Sequence, residues 1–236
     1  MKSCVLLMIG ILLPIVGFSQ SILNQQNSEV YIEFPEPRPL GEINKSINKQ
    51  LGYSNLISWK LNSELTDELN QIHRRYTMYF DGIEVFSSRL IVHSTKNGVF
   101  RINGRVVSEA DLELTEAIME EQEGLDLALK KFPSDQYYWQ VEEQNRQLKT
   151  ITGDSMATFY PKGELKFIGP NFRIDTTQLL TWHFNIYSEQ PLFGKSIYIN
   201  AVTGELVAEQ DLILHTGVTG TAQTAYSGKR EIQTVS

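Results

Sequence analysis

The alternation of apolar and polar positions predicts an antiparallel meander over residues 71–107. From Ile72 to Phe80, larger apolar residues alternate with polar ones at a period of two, which is typical of a strand with one buried face. Asp-Gly and Asn-Gly pairs are strong hairpin signals between such strands. The turns and the further strands are predicted at Asp81-Gly82, 83–86, 90–94, Asn97-Gly98 and 99–107.

The period changes after residue 111, where a helical stripe predicts a second unit. The apolar positions of this helix are spaced by three and four residues, and Pro133 ends it. They are Leu125, Ala128, Leu129 and Phe132. A polar helical stretch is predicted at 142–148, and strands are predicted at 157–160, 164–168, 180–187, 195–200 and 205–214.

Helices combined with antiparallel strands predict the α+β class, in two small units that are each an antiparallel sheet with one or two helices. We place these units at residues 41–110 and 111–214. Residues 20–40 precede them as an extended arm, because three prolines disfavour a helix there. A short helix is predicted at 41–51, where Ile43, Ile47 and Leu51 share one face.

The N-terminus has the pattern of a secretory signal peptide, residues 1–19. A positive start precedes an almost continuous apolar run from Cys4 to Val16, and small residues stand before a cleavage position between Ser19 and Gln20. The apolar run is too short for a membrane-spanning helix. We therefore expect a secreted protein, extracellular or periplasmic, with no stable membrane anchor after cleavage.

Composition narrows the possible partners and site types. The chain has 21 Lys plus Arg against 28 Asp plus Glu, a formal net charge of −7, and loss of Lys2 with the signal peptide makes it −8. Nucleic acid is excluded as a partner on this ground, because backbone binding needs a basic surface. The single cysteine, Cys4, lies in the segment predicted to be removed, so we expect neither disulfides nor cysteine metal sites.

The candidate catalytic patterns are weak. A zinc protease helix needs His-Glu-x-x-His, and the sequence does not contain it. No two of the four histidines lie three to five positions apart. They are His73, His93, His183 and His215. We therefore predict structural histidines, no catalytic residue and no metal ligand in this chain.

Two other patterns have simpler structural interpretations. Gly153-Asp154-Ser155-Met156-Ala157 lacks the strand before and the helix after that a nucleophile elbow requires, so we predict an Asx turn. The acidic run over residues 109–126 lacks calcium-loop spacing, and we predict a solvated helix face.

The segment HRRYTMYFDGIEVFSSRLIVHSTKNGVFRINGRVV, residues 73–107, resembles the fungalysin/thermolysin propeptide module. That module has an aromatic-rich strand, a Gly-Ile-x-Val turn, a strand ending in Val-His and a glycine-containing turn. Ser87-Ser88 stands where the pattern often has glycine. The positions that carry the resemblance are Tyr76, Gly82, Ile83, Val85, Val92, His93, Gly98 and Gly104.

The following unit resembles a PepSY module, which recurs in the pro-regions of the same secreted metalloproteases. The matching stretches are EEQEGLDLALKKFP, ITGDSMATFYPKGELKFI and SIYINAVTGELV. Asn200 stands where these modules often have aspartate. The motif positions are Ala128, Leu129, Ala201, Thr203 and Gly204.

The stretch TGTAQTAYSGKREIQT, residues 219–234, predicts a hairpin with a Ser227-Gly228 turn and resembles the first strands of the catalytic domain of these proteases. We therefore expect the chain to be the front part of a longer protein, with the processing junction and a truncated catalytic domain at 215–236. Candidate junction residues are Leu212, Ile213, Leu214, His215, Thr216 and Val218.

The resemblance implies the pro-region of a secreted thermolysin-like metalloendopeptidase precursor, a zymogen. Such a segment assists the folding of its catalytic domain and inhibits it, without catalytic activity of its own. The cognate catalytic domain is the implied partner, and zinc and calcium are expected only there. Two alternatives stay open at this point: a free-standing secreted metalloprotease inhibitor, and an extracellular ligand-binding module.

Overall fold

A computed structural model describes residues 20–24, 28–113, 116–213, 218–224 and 228–234. The helices in this part of the chain are α1 (Ile43–Leu51), α2 (Glu121–Lys131) and α3 (Glu142–Thr152). The strands are β1 (Gln20–Asn24), β2 (Glu29–Arg38), β3 (Ile57–Thr66), β4 (Ile72–Phe80), β5 (Ile83–Thr95), β6 (Gly98–Arg105), β7 (Gln136–Tyr137), β8 (Glu164–Ile168), β9 (Leu179–Gln190), β10 (Leu192–Asn200), β11 (Leu206–Asp211), β12 (Val218–Thr224) and β13 (Gly228–Thr234).

Eleven of the described strands join in one sheet, in the order β1-β2-β6-β5-β8-β9-β10-β11. β4 pairs with β5 and carries β3 at a free edge, and β7 pairs with β9. All strand pairs are antiparallel except β5 with β8, where Glu84 and Val85 lie beside Lys166 and Phe167. The structure confirms the predicted α+β class, and this short parallel pair connects the two predicted units.

The meander predicted over residues 71–107 is present as β4, β5 and β6. The two strands predicted at 83–86 and 90–94 are one continuous strand, β5. The serine pair that separated them is accommodated because Ser88 is fully buried and its Oγ accepts a hydrogen bond from the Val107 amide at 2.8 Å. β3 was not predicted, because most of its residues beyond Trp59 are exposed and lack alternation.

The segment 20–40 is extended, as predicted, and its second half is a strand of the sheet. Val30, Ile32 and Phe34 of β2 are buried, with exposed residues between them. β2 pairs with β6, and its regular pairing breaks off between Glu33 and Arg38. That break coincides with the prolines at 35 and 37, which have no amide hydrogen to donate to a neighbouring strand.

The predicted short helix is also confirmed. α1 places Ile43 and Ile47 in the main apolar core, together with side chains of β2 to β6. The spacing of four residues puts both on one face of the helix. α1 therefore covers one face of the first half of the sheet, and on the opposite face Arg75 is exposed while His73 and His93 are half-buried.

In the second half of the sheet, α2 packs against β9 and β10 as its apolar stripe predicts. Leu125 and Ala128 are buried in a core that includes Phe184 and Ile197. A capping box formed by Glu120 and Glu123 begins the helix, which satisfies two amide donors that the helix itself leaves unpaired. The acidic residues of the run 109–126 that fall in this helix are exposed, as predicted, whereas Glu109 and Asp111 lie in a separate 3-10 turn and are half-buried.

The polar helix α3 is confirmed, whereas the strand predicted at 157–160 is wrong. The amide of Phe159 donates to Oδ1 of Asn145 at 3.0 Å instead of to a neighbouring strand. The ring of Phe159 packs against Tyr138 and Tyr187. The aromatic residues of this segment resemble those of a strand in the sequence, but here they hold a loop against the rest of the protein.

β12 and β13 form a separate antiparallel sheet, which confirms the strands of the predicted hairpin. Gly228 begins β13, and Ser227 lies outside the described residues. Gln20 begins β1, and the predicted signal peptide before it lies outside them too. Within the described ranges, none of the helices has the length and apolarity needed to cross a membrane.

Candidate functional site

Two glycine turns set the geometry of the first half of the sheet. Asp81 and Gly82 both have positive φ, 46° and 81°, which is the backbone of a tight two-residue hairpin between β4 and β5. Gly98 has φ 123° and starts β6 at the next turn. Both turns stand where the sequence predicts them.

Strand pairing then brings distant polar residues together on the face opposite α1. His73 of β4 faces His93 of β5, which faces Arg101 of β6. The next row in the same direction holds Arg75 and Asn103 on either side of Ile91. We call the surface formed by His73, Arg75, His93, Arg101 and Asn103 the arginine-histidine face.

The two histidines of this face form a hydrogen-bonded chain. Their Nδ1 atoms lie 2.7 Å apart, and the rings meet edge to face. Nε2 of His73 contacts Oδ2 of Asp67 at 3.0 Å, and Nε2 of His93 contacts Oδ1 of Asn103 at 2.5 Å. Both outer contacts are to side-chain oxygen atoms.

This arrangement leaves the two Nδ1 atoms facing each other with one hydrogen bond to make. A hydrogen bond between them requires that one Nδ1 donates while the other accepts. The hydrogen bond from His73 is the first cause that holds the pKa of Asp67 below its usual range, followed by backbone donors from Gln71 and Leu69.

His93 is the natural acceptor of the pair. Burial is the main cause that lowers its pKa, and the positive charges of His73, Arg101 and Arg75 lower it further, against the contact with Asn103. Sequence reasoning did not join these histidines, because they are twenty positions apart and only the strand register brings them into contact.

The two arginines that flank the histidine pair have little internal neutralisation. Among the described residues, no carboxylate comes within salt-bridge distance of Arg75 or Arg101. The guanidinium of Arg101 stands 5.5 Å from the centre of the Phe100 ring, and its buried Nε has no hydrogen-bond partner within the described chain. Arg75 is exposed.

A second charged cluster holds the parallel pair β5 and β8 together. Glu84 contacts Lys166 at 3.3 Å and Arg89 at 3.0 Å, and Lys166 also contacts Glu164 at 3.1 Å. The charges are balanced, and Lys166 and Glu84 are mostly shielded from solvent. This cluster has the properties of an internal connection between the two halves of the sheet.

His183, Ser196 and Glu164 lie in an order that resembles a hydrolase triad. Nε2 of His183 is 2.6 Å from the Ser196 hydroxyl, and its Nδ1 is 3.8 Å from a Glu164 oxygen. Ser196 is only 5% exposed, so its hydroxyl does not face a substrate, and the distance to Glu164 is too long for a hydrogen bond. The three residues are structural.

The propeptide-module positions are mostly core and turn residues. Val85 and Val92 are fully buried, and Tyr76 and Ile83 pack against the same core. Gly104 pairs with Leu90 on one side and Val30 on the other, where strands approach closely. Only His93 projects a polar group onto the face opposite this core.

The PepSY-module positions cluster at the turn after β10. Gly204 has φ 75° and lies against Leu127 of α2, and Ala201 is fully buried. Oδ1 of Asn200 accepts hydrogen bonds from the amides of Val202 and Thr203, so asparagine closes this turn as aspartate would. Ala128 and Leu129 face the core beneath α2.

The candidate junction is described only in part. The amide of Leu212 donates to the carbonyl of Gly194 at 2.7 Å, and the side chain of Ile213 lies over the same glycine. Val218 begins β12. Leu214, His215 and Thr216 lie outside the described residues.

The segment from Gly153 to Ala157, where the sequence predicts an Asx turn, can also be compared with the structure. Gly153, with φ 71°, ends α3, and Oδ1 of Asp154 accepts from the Met156 amide at 2.8 Å, which confirms an Asx turn. In the described part of the chain, no group of three or more His, Cys, Asp and Glu residues is placed to hold a metal ion.

The fold is thus of the α+β class, with a mostly antiparallel sheet. The first half of this sheet is a meander joined by glycine turns, and it carries the arginine-histidine face. The family model described as the Fungalysin/Thermolysin Propeptide Motif matches residues 58–106, which span β3 to β6. The chain therefore contains the propeptide motif of fungalysin- and thermolysin-type proteases. The match begins earlier than the segment that carries the resemblance in the sequence, because β3 belongs to the motif.

Comparison with whole proteins adds little. No curated protein matches the chain. A solved structure titled Bacillus megaterium YpeB C-terminal domain is similar at 10% identity, with 83% of this chain and 82% of that chain covered and a TM-score of 0.34.

Proposed function

We propose that this chain is the N-terminal pro-region of a secreted thermolysin-like metalloendopeptidase precursor. In this role it binds the catalytic domain, assists its folding and inhibits it, and performs no catalysis itself. The observation that carries the proposal is the propeptide motif at residues 58–106. The motif occupies complete strands of the sheet, so it is a folded unit and not an isolated sequence coincidence.

Features outside the motif support the same role. The secretory pattern before Gln20 suits a protein exported with its enzyme, and the PepSY-like turn around Gly204 suits the second module of such pro-regions. The hairpin of β12 and β13 suits the first strands of a catalytic domain, with processing near His215-Thr216. Zinc and calcium belong to that catalytic domain in our proposal.

Linkage explains how one set of contacts serves two tasks. A segment that binds the native catalytic domain, and not its unfolded form, lowers the free energy of the native state. When the same contacts cover the active cleft, they also exclude substrate. Folding assistance and inhibition then depend on one affinity, so a variant that weakens one weakens the other.

The proposal predicts inhibition in trans. The purified protein, without residues 1–19, should slow a thermolysin-type protease in a concentration-dependent and saturable manner. Initial rates on a chromogenic peptide, measured against increasing concentrations of the protein, give the inhibition constant. Heat-denatured protein at equal concentration is the control, because an unfolded chain competes only as a substrate.

An unchanged rate at micromolar concentrations, with the protein shown intact by electrophoresis, would argue against the inhibitory role. Rate loss that disappears as the protein is digested would identify it as a competing substrate, which also contradicts the proposal.

A further inference from the structure

The arginine-histidine face lies on the matched motif, on the side away from the main core. It is rich in basic side chains, in contrast to the acidic chain as a whole. The chain has a net charge of −7, yet five of its arginines lie within residues 74–105. Arg74 and Arg89 have carboxylate partners at 2.7 Å and 3.0 Å. Arg75 and Arg101 have none among the described residues.

The histidine pair lies between these arginines. His73 and His93 contact each other through their Nδ1 atoms, and Asp67 is the carboxylate that touches the pair. Beside these side chains stand Asp67, which contacts His73, and Glu33 of β2, which pairs with Arg101 in the strand register without coming within salt-bridge distance. Burial is the main cause that lowers the pKa of His93, and the charges of Arg101 and Arg75 lower it further.

The same face has the composition of a protein interface. Tyr79 of β4 carries Lys60 over its ring at 3.7 Å, and Tyr31 of β2 is 36% exposed. Tyrosine and arginine are enriched where proteins dock, because they combine a large contact area with directional polar groups. The opposite side of these strands packs in the main apolar core.

We infer that the arginine-histidine face is a docking surface for a carboxylate-rich surface of the catalytic domain. This inference rests on the proposed function and names the part of the pro-region that recognises the enzyme. Arg75 and Arg101 form ion pairs with aspartate or glutamate side chains of the partner through their guanidinium groups. Complementary charge across an interface gives specificity and speeds association.

Charge reversal on this face tests the inference. Arg75→Glu combined with Arg101→Glu should raise the inhibition constant for a thermolysin-type protease about tenfold or more, because two attractive contacts become repulsive. The matched control reverses two exposed lysines of α2, Lys130→Glu with Lys131→Glu, and should change the constant less than twofold. Circular dichroism and thermal midpoints establish that both variants fold.

Salt provides an independent measurement on the same proteins. Raising the NaCl concentration from about 0.05 M to about 0.5 M should weaken inhibition by the unmodified protein more than inhibition by the Arg75/Arg101 variant. The reason is that dissolved ions screen exposed charges. If the reversed variant fails to fold, Arg75→Gln with Arg101→Gln replaces it, with the same direction expected.

The outcomes separate the two proposals. An unmodified protein that does not inhibit contradicts the proposed function. An unmodified protein that inhibits, with the Arg75/Arg101 variant inhibiting equally well or both showing the same salt response, contradicts the docking surface while leaving the proposed function in place.

Discussion

Replacing Gly104 by alanine is expected to lower the free energy of unfolding by about 3 kcal/mol. Gly104 lies in β6 between β2 and β5, and a Cβ atom there would stand 2.2 Å from the carbonyl oxygen of Arg89 and 3.0 Å from the Cα of Leu90. Both are backbone atoms of a central strand, so neither can turn aside. The strands must separate locally, which weakens pairing at the centre of the sheet.

Chemical denaturation of Gly104→Ala and the unmodified protein measures this loss directly, and the thermal midpoint should fall by about 6 to 12 °C. Gly41→Ala is the matched control, because no atom lies within 4 Å of its added Cβ. The control should change stability by less than about 0.5 kcal/mol. Equal midpoints for Gly104→Ala and the unmodified protein would show that the strands do not approach as described.

The second large effect concerns the pH dependence of stability, and it arises at His183. Burial is the main cause that lowers the pKa of His183 to about 4, and the charge of Lys166 adds to it, against the opposing effect of Glu164. His183 is therefore neutral at pH 7, so its 3.8 Å contact with Glu164 is not a salt bridge there. The neutral ring instead shares a hydrogen bond with Ser196.

The direction of the pH effect follows from linkage. An unfolded chain protonates this histidine near pH 6.5, whereas the folded chain does so only near pH 4. The stability contributed by the neutral ring is thus complete above pH 6.5 and is lost as the pH falls towards 4. The full difference amounts to roughly 3 kcal/mol.

His183→Gln removes this titration while keeping a polar group beside Ser196. Between pH 7 and pH 4.5, the unmodified protein should lose about 2 kcal/mol more stability than the variant. Urea denaturation at both pH values measures the difference, and the carboxylates that titrate in both proteins cancel. A ring resonance of His183 that titrates near pH 6.5 in the folded protein, followed by NMR, would contradict the expected shift.

The sequence predicts the elements of the fold well where period and turn chemistry agree. Asp81-Gly82, Asn97-Gly98 and the stripe beneath α2 stand where they are predicted. Failures occur where a tertiary contact replaces the local signal. β3 is an edge strand with an exposed outer half, and the loop at 157–160 is held by Asn145 instead of by a neighbouring strand.

The candidate site could not be predicted, because it depends on a change of register. Tyr79 pairs with Glu84, which follows directly from the Asp81-Gly82 turn, but Thr77 pairs with Arg89. β5 therefore gains three residues over β4 between these two pairs, in the stretch where it turns to pair with β8. Only this offset places His73 opposite His93.

The pKa of His183 was beyond sequence reasoning for a similar reason. Glu164, His183 and Ser196 come from β8, β9 and β10, and no spacing along the chain identifies them. By contrast, the residues of the propeptide module were recognisable because half of them are glycines of turns or buried valines. Such positions are constrained by backbone geometry and packing, which leave a local trace in the sequence.

The central claim is that this protein recognises the native catalytic domain of a thermolysin-type protease, and the thermal midpoint of that domain tests it most directly. A protease inactivated at its catalytic glutamate avoids digestion of the added protein. With the protein at about a thousand times its dissociation constant, linkage predicts about 4 kcal/mol of added stability, seen as a concentration-dependent rise in the midpoint. A midpoint that stays constant across the titration would contradict the claim.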